Sequence, residues 1–397
     1  MGAGRRLAVA IACAASSLIS IAVPVSASSS PSVAEEVPVS HRAFAPRTWP
    51  AVAAADGRLF VFGGFSDRGS EIRKDGALID PETAEVHRVD DWRGDPLLSS
   101  AAVATGKRIV VLGLECSQTY RDDELGDLFC EDGRFAASQL NSATGRWKTI
   151  RLPSDLGARR RSDIADTWWP EALGTLSDGS AVFATVNAVA AGGSLDYTTQ
   201  YWIYAPTSRA WTAVPDPPGE GDGVCLSGDR IVVLTGAPVS PSLLVFDANG
   251  NGEWTRTPAD PTVHITDDPH VSCTDDQVMV TGLRRGPPTP ADILAAAVAN
   301  VDEGTWVQVD PPGYPEAITD PRRGVGLLGP GLWTGTELVF PNAGYAYNPP
   351  GSSWRELDRV PPGDQPLTVW TGTQIAGYVV APGGDLSQAA VFSYPAG

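Results

Sequence analysis

The stretches "WTGTELVF" at residues 333–340 and "WTGTQIAGYVV" at residues 370–380 spell Trp-Thr-Gly-Thr twice, each time just before an apolar run. Self-similarity at a period of about 20–50 residues is typical of a supersecondary unit copied along a stack or around an axis. The pair therefore predicts a repeat protein, and its other copies can be found from the features that these two stretches share.

Seven copies can be found, and each begins with a short apolar strand, a tight polar or glycine turn and a second apolar strand. Turn residues between two apolar runs are a strong signal for a β-hairpin. The segments "AVAAADGRLFVFGG" (51–64) and "GVCLSGDRIVVLTG" (223–236) align residue for residue. The seven turns are Asp56-Gly57, Gly106-Lys107, Asp178-Gly179, Gly228-Asp229, Asp275-Asp276, Gly335-Thr336 and Gly372-Thr373.

The second half of a copy carries a large apolar residue and a tryptophan, usually seven residues apart, with turn formers between them. The pairs are Leu140 with Trp147, Tyr204 with Trp211, Tyr347 with Trp354 and, one residue further apart, Phe246 with Trp254; the first copy has Ile79 and Val86 instead. This spacing predicts a third strand, a turn and a fourth strand. The alanine-rich segment "PADILAAAVANVD" (290–302) suits a helix by propensity, but its place in copy five predicts a third strand.

Seven four-stranded antiparallel sheets arranged radially form a β-propeller, in which each sheet covers the face of its neighbour. The chain resembles the kelch-repeat family through Gly63-Gly64 after "LFVF" and through the spaced Tyr and Trp residues. The resemblance spans about residues 41–397 and implies an all-β, seven-bladed propeller. Copies two, four and five keep a single glycine (Gly113, Gly236 and Gly282), and copies three and six keep none, so the blade boundaries of those two copies stay open.

The ends of the chain predict how the ring closes. The seventh copy ends at "VFSYPAG" (391–397) after three strands, and "PVSHRAFAP" (38–46) precedes copy one where a fourth strand is missing. We expect the segment near Phe44 to pair with the strand that ends at Tyr394, since a sheet edge would otherwise stay open. A β-sandwich needs far fewer residues, and a parallel solenoid would not alternate hairpins with tryptophan strands.

The N-terminus predicts export. Arg5 and Arg6 precede an apolar stretch that ends at Val25-Ser26-Ala27, which is typical of a signal peptide cleaved near Ala27. Lipidation at Cys13 is a weaker alternative. We therefore expect a signal peptide over residues 1–27, a flexible leader over 28–40, a single propeller domain over 41–397 and no membrane span.

The net charge limits the classes of partner, and the cysteines predict disulfides. The formal net charge of −18 disfavours nucleic acid and anionic membranes as partners, and we expect a secreted monomer without a cofactor. Four cysteines remain after the signal peptide, which indicates two structural disulfides. Cys225 and Cys273 occupy equivalent first-strand positions in neighbouring copies, while Cys116 and Cys130 bracket one acidic loop, so we expect these two pairs.

The long loops predict where a ligand binds. Strand direction alternates within a blade, so second-to-third loops and between-blade connections share one face, here called the loop-rich face, and most long segments belong to it. The residues expected to converge there at the channel mouth are Arg47, Trp168, Trp169, His270, Arg322 and Arg323. Arginine forks and tryptophan faces suit a sugar or a small anionic organic molecule. The alternative is that the tryptophans pack between blades and the arginines neutralise nearby aspartates.

Metal chemistry finds little support in the sequence. The resemblance extends to galactose-oxidase-like copper enzymes, whose site needs two histidines, two tyrosines and a cysteine cross-linked to one tyrosine. Only His41, His87, His264 and His270 are present, and the cysteines are expected as disulfides, so we map no copper site and no other metal. Whether the acidic loop over 116–132 binds calcium stays open.

These observations predict a secreted binding or interaction module whose partner is a carbohydrate, a small molecule or an extracellular protein. The first alternative is an extracellular carbohydrate-active enzyme, a lyase, hydrolase or oxidase-like protein, that uses the same channel mouth. The second is a scaffold in the cell envelope.

Overall fold

The computed structural model describes residues 32–66, 71–117, 119–121, 128–162, 166–191, 194–236, 240–260, 263, 267–285, 292–309, 330–361, 367–381 and 385–395. The regular secondary structure of this part of the chain is nearly all β-strand, with a short 3-10 helix over Pro341–Ala343. Two short strands precede the first hairpin: β1 (Ser32–Val33) and β2 (Val37–Val39). Most of the remaining strands, together with β2, form the seven blades.

The blades follow one another along the chain, and each is a four-stranded antiparallel sheet. Blade one contains β3 (Ala51–Ala55), β4 (Arg58–Phe62), β5 (Gly76–Ile79) and β6 (Val86–Arg88). Blade two contains β7 (Leu97–Thr105), β8 (Arg108–Cys116), β10 (Leu128–Asn141) and β11 (Arg146–Ile150), with β9 (Thr119–Arg121) and β12 (Arg159–Ser162) added to β10. Blade three contains β13 (Asp166–Thr175), β14 (Ala181–Ala191), β15 (Ser194–Ala205) and β16 (Ala210–Ala213).

Blade four contains β17 (Gly223–Ser227), β18 (Arg230–Thr235), β19 (Ser242–Asp247) and β20 (Trp254–Arg256). Blade five contains β21 (Asp267–Cys273), β22 (Gln277–Arg285), β23 (Asp292–Asn300) and β24 (Trp306–Gln308). Blade six contains β25 (Leu332–Trp333), β26 (Leu338–Phe340), β27 (Tyr345–Asn348) and β28 (Ser353–Glu356). β29 (Arg359–Val360) leads to blade seven, which contains β30 (Leu367–Trp370), β31 (Ile375–Ala381) and β32 (Asp385–Tyr394).

The blades form a closed ring. Each first strand contacts the first strand of the next blade, from β3 around to β30, and β30 contacts β3 again. The described hydrophobic core is divided accordingly into seven clusters, one between each pair of neighbouring blades. The predicted seven-bladed propeller is confirmed, as is the third strand that we expected in copy five, which is β23.

The Trp-Thr-Gly-Thr stretches form the first hairpin turns of blades six and seven. In each turn the first threonine accepts a hydrogen bond through Oγ1 from a backbone N–H three residues later, Thr334 from Glu337 and Thr371 from Gln374. The central glycines have φ values of +92° and +97°, a region that glycine adopts at little cost. The repeated motif is therefore a repeated turn.

The paired apolar and tryptophan positions lie directly opposite each other on the third and fourth strands. Tyr204 pairs with Trp211, Tyr347 with Trp354, Leu140 with Trp147, Phe246 with Trp254 and Ile79 with Val86. The extra residue in copy four is accommodated in the turn between β19 and β20. Its Asp247 accepts a hydrogen bond from the Asn249 backbone, which makes that segment an ordinary turn.

Three of these tryptophans also tie their blade to the preceding one. The indole Nε1 of Trp147 donates to the Asp90 carbonyl, that of Trp254 to the Pro215 carbonyl and that of Trp354 to the Val309 carbonyl. Each acceptor follows the fourth strand of the blade before. The fourth-strand tryptophan is thus a link between blades, which we call the indole link.

The N-terminal segment closes the ring. β2 pairs with β32 in the register Val37–Val391 and Val39–Ala389, and it supplies the fourth strand of blade seven. The predicted closure is confirmed, with the strand a few residues earlier than expected. The segment after it is a turn that buries Phe44 in the core between blades seven and one. β1 adds a parallel pair with β29, so residues before 41 take part in the propeller.

The two predicted disulfides are confirmed. Cys225–Cys273 joins the first strands of blades four and five, and Cys116–Cys130 joins the second and third strands of blade two. Within the described ranges, no helix is long and apolar enough to cross a membrane.

Candidate functional site

A large cleft opens where the first strands of blades three to five meet the connections of the loop-rich face. Its volume is about 990 Å³, within the usual range of small-molecule sites. It is lined by Trp168, Trp169, Glu171, Val186, residues 197–201, residues 216–217, residues 219–224, Pro269, His270, Val271 and Pro330. Below it is called the aromatic cleft.

Trp169 and Tyr197 supply an aromatic corner of this cleft. Their rings meet edge to face at 6.4 Å between centroids, and Tyr197 is 55% exposed. The Trp169 indole donates a 3.0 Å hydrogen bond to Glu171 Oε1, so the ring has a fixed orientation. An ordered ring beside an exposed one is suited to stacking on an apolar ligand face.

Trp168 behaves differently, because successive residues of a strand point to opposite faces. Its ring packs against the cluster between blades two and three and meets Phe135 edge to face at 6.4 Å. The residue still borders the aromatic cleft. Of the two neighbouring tryptophans, Trp168 therefore contributes to packing between blades and Trp169 turns toward the neighbouring blade four.

The ionisable groups of the aromatic cleft are mostly carboxylates. Glu171, Asp216, Glu220 and Asp222 line it, together with His270, and no lysine or arginine does so among the residues that the structure describes. Burial, reinforced by the charge of Glu171, raises the pKa of Tyr201 well above its usual range. The Tyr201 hydroxyl therefore stays protonated at neutral pH.

Arg47 lies away from this cleft and is completely buried. Its guanidinium makes a two-pronged contact of 3.1 Å with each carboxylate oxygen of Asp75, donates to the Gly63 carbonyl and stacks over Phe44 at 3.7 Å. Its backbone N–H donates to the Tyr378 hydroxyl of blade seven. Asp75 and Gly63 belong to blade one, Phe44 to the N-terminal closure segment and Tyr378 to blade seven. Arg47 therefore links the two blades that meet where the ring closes.

Burial and mutual contact shift the pKa values of Arg47 and Asp75. Burial lowers the pKa of Arg47, which its hydrogen bonds with Asp75 partly offset. Burial alone would raise the pKa of Asp75, but the hydrogen bonds and charge of Arg47 outweigh it, so that the pKa of Asp75 is lowered. Both groups are charged at neutral pH.

The predicted site residues are therefore only partly brought together. Trp168, Trp169 and His270 border one cleft, whereas Arg47 is a buried seam residue. Arg322 and Arg323 lie outside the described residues, as do Asp122, Asp123, Glu124 and Asp127 of the acidic loop. Across the described ranges, no three His, Cys, Asp or Glu side chains are grouped closely enough to hold a metal ion.

Three residues of interest escaped the sequence analysis. Glu171 and Tyr197 carry no motif, and only their closeness to Trp169 gives them a role. Trp49 is 73% exposed, has a φ of +49° and packs only its edge on Phe65, 5.8 Å away. A Trp directly before Pro50 is the signal that could have drawn attention to it, because that position is restricted to few conformations.

No protein-family model matches the chain, and no curated protein is similar to it in sequence. Solved structures with a similar fold include the following two. The structure of YjhT is 11% identical and covers 91% of this chain and 96% of its own, with a TM-score of 0.42. The crystal structure of polysaccharide lyase Uly1 is 12% identical and covers 66% of this chain and 60% of its own, also with a TM-score of 0.42. At these values the likeness carries no argument about family or activity.

Proposed function

We propose that this propeller is an exported carbohydrate-binding module and that the aromatic cleft binds a neutral or cationic saccharide. The observation that carries the proposal is the corner formed by Trp169, Tyr197 and Glu171. Kelch membership and export, which the sequence predicts, are part of the same proposal. The two disulfides support export, because such bonds persist in oxidising compartments.

The chemistry of the corner suits a sugar ring. A pyranose has an apolar face of C–H groups and a rim of hydroxyls, so it needs an aromatic surface next to hydrogen-bond acceptors. Trp169 and Tyr197 offer the surface, and Glu171 and Asp216 offer carboxylate acceptors in the same cleft. Thr198, Thr199 and Gln200 follow Tyr197 along β15 and add polar groups.

The charge of the cleft favours one of the ligand classes left open by the sequence. A cleft with four carboxylates and no described lysine or arginine repels a small anion, since like charges at close range disfavour binding. A neutral sugar or an amino sugar meets no such penalty. The arginines that suggested an anionic ligand are either buried, as Arg47 is, or outside the described residues.

The test is calorimetric titration with cellohexaose, chitosan hexamer and hexagalacturonate. We expect the neutral or the cationic oligomer to bind the aromatic cleft, and hexagalacturonate not to displace it from there. Trp169→Ala and Tyr197→Ala should each weaken that binding about 5- to 150-fold, which corresponds to the loss of about 1–3 kcal/mol of contact energy. Trp49→Ala removes an exposed indole outside the cleft and should leave the affinity unchanged.

Two results would count against this function. One is that neither neutral nor cationic oligomers bind, and the other is that Trp49→Ala weakens binding as much as Trp169→Ala. Export is tested separately by N-terminal sequencing of the protein from culture medium, where the mature chain should begin at Ser28.

A carbohydrate-active enzyme is the second candidate, favoured by the presence of Glu171 and His270 in the same cleft. A carboxylate and an imidazole are the side chains most used for proton transfer. Prolonged incubation with the bound oligomer should then release shorter products, seen by chromatography. Glu171→Gln or His270→Ala should abolish the release, while an intact oligomer after incubation would leave binding as the function.

A further inference from the structure

A second cavity lies on the outer side of blade two, well separated in the chain from the aromatic cleft. Its volume is about 630 Å³. β11 ends at Ile150 and β12 begins at Arg159, so the edge of β10 that faces away from β8 lacks a partner strand over Phe135 and Ala136. The connection between blades one and two forms the other wall through Trp92, Arg93 and Gly94.

This cavity, here called the basic cleft, carries positive charge on a strongly acidic protein. Arg93, Arg134 and Lys148 line it against one carboxylate, Glu115. Arg93 and Lys148 are exposed and form no ion pair with any described residue. With a chain charge of −18, two unpaired cations in one cavity are not explained by the general surface composition.

The one carboxylate of the basic cleft, that of Glu115, already accepts hydrogen bonds at both of its oxygens. The Glu115 side chain is 6% exposed; Oε1 accepts 3.1 Å from the Trp92 indole, and Oε2 accepts from Arg134 Nε at 3.2 Å. Glu115 therefore neutralises Arg134, and the charges of Arg93 and Lys148 remain for a ligand.

Gly94 is required for this arrangement. A Cβ built on Gly94 would lie 1.5 Å from Glu115 Oε1, so any other residue would displace the buried carboxylate. The floor of the basic cleft is thus fixed by a close backbone approach on one side and two hydrogen bonds on the other. A fixed floor beside two exposed cations is a feature of an anion site.

We propose that the basic cleft is a second binding site and that it takes a carboxylate-bearing saccharide such as a uronic acid unit. Arg93 binds the carboxylate, and Lys148, on the outermost strand β11, adds positive charge from the edge of the cavity. The half-buried Trp147 indole and the Thr149 hydroxyl, which line the same cavity, face the rest of the sugar. The volume admits a disaccharide, which distinguishes this ligand from a small inorganic anion.

The test is calorimetric titration of the intact protein with digalacturonate and, as the neutral counterpart, cellobiose. Digalacturonate should bind, and cellobiose should not displace it from the basic cleft. Arg93→Ala should lower the affinity about tenfold, the effect of losing one charge-assisted contact, and Lys148→Ala should lower it by a smaller factor. Raising NaCl from about 0.05 to 0.5 M should weaken binding further, as expected for exposed charges.

Lys107→Ala is the matched control, because it removes an equal charge from the opposite end of blade two. It should leave the affinity for digalacturonate unchanged. Trp169→Ala should also leave it unchanged, which separates this site from the aromatic cleft. Displacement of digalacturonate by cellobiose, wild-type affinity in both cleft variants, or absence of digalacturonate binding would overturn the proposal.

Discussion

At the scale of single residues, Arg47 shows that the type of a residue and its place in the sequence do not determine its role. The sequence places an arginine at the channel mouth and suggests a ligand contact. The structure gives it a carboxylate partner at Asp75, 28 residues later, and buries it completely. The pairing depends on how β5 returns beside β4, which no local pattern around Arg47 reports.

The Arg47–Asp75 pair predicts a pH effect. Since the folded pKa of Asp75 is lowered, its contribution to stability is fully present above its unfolded pKa of about 3.9 and is lost as the pH falls through the folded value. Asp75→Asn should cost about 2–3 kcal/mol of unfolding free energy at pH 7, and less at pH 3. Urea denaturation at both pH values measures this.

The control for that experiment is Glu71→Gln, which removes an exposed carboxylate 3.6 Å from Arg73. A surface pair of this kind contributes little, so the unfolding free energy should change by less than about 0.5 kcal/mol. If Asp75→Asn loses the same free energy at pH 3 as at pH 7, the proposed protonation of Asp75 is wrong.

Trp168 and Trp169 predict opposite phenotypes from neighbouring positions. Trp168→Ala empties a site in the core between blades two and three and should cost about 3–5 kcal/mol of stability. Trp169→Ala should change the melting temperature little and reduce saccharide binding. Thermal unfolding and calorimetric binding of both variants test the pair. A stable Trp168→Ala protein would contradict the packing role.

At the scale of elements, the hairpins and the third-to-fourth strand register were predictable because both are local. A turn residue between two apolar runs fixes its own hairpin, and the seven-residue spacing fixes which residues face each other. The cleft was not predictable in the same way. It combines the ends of inner strands from three blades with connections, and a strand bulge between Ala172 and Gly174 intervenes after the tryptophan pair.

The indole link predicts a difference between blades. Trp254 donates its Nε1–H to the Pro215 carbonyl, whereas the buried Nε1 of Trp211 has no hydrogen-bond partner among the described residues. Replacement by Phe removes similar apolar area at both positions. Trp254→Phe should therefore cost about 1 kcal/mol more than Trp211→Phe. Equal losses in urea denaturation would show that the hydrogen bond adds nothing to stability.

At the scale of the whole molecule, two features hold the ring closed. The N-terminal strand β2 pairs with β32 at the seam, and a disulfide joins blades four and five. Cys225–Cys273 closes a loop with a sequence separation of 48, for which the loop-entropy model gives about 4 kcal/mol. The seam has no covalent bond in the described chain. It depends on β2, on the pair of β1 with β29, and on Ala34, which is 3% exposed in the core between blades six and seven.

The seam predicts that one buried charge in β2 opens the ring. Val39 is 6% exposed and packs in the core between blades seven and one. Val39→Asp should lower the unfolding free energy by about 3 kcal/mol, because the carboxylate must be buried without a partner or β2 must detach. In hydrogen-exchange mass spectrometry, peptides from blades seven and one should lose protection while those from blade four keep it.

Val307→Asp is the matched control for the seam, since Val307 occupies the fourth strand of blade five but is 59% exposed. The same substitution there should change the unfolding free energy by less than about 0.5 kcal/mol and leave exchange unaltered. Detachment of β2 exposes the edge of β32 and frees the seam residues around Arg47. Uniform loss of protection in Val39→Asp would mean that the propeller unfolds as one unit, and full protection in blades seven and one would mean that β2 does not hold the ring closed.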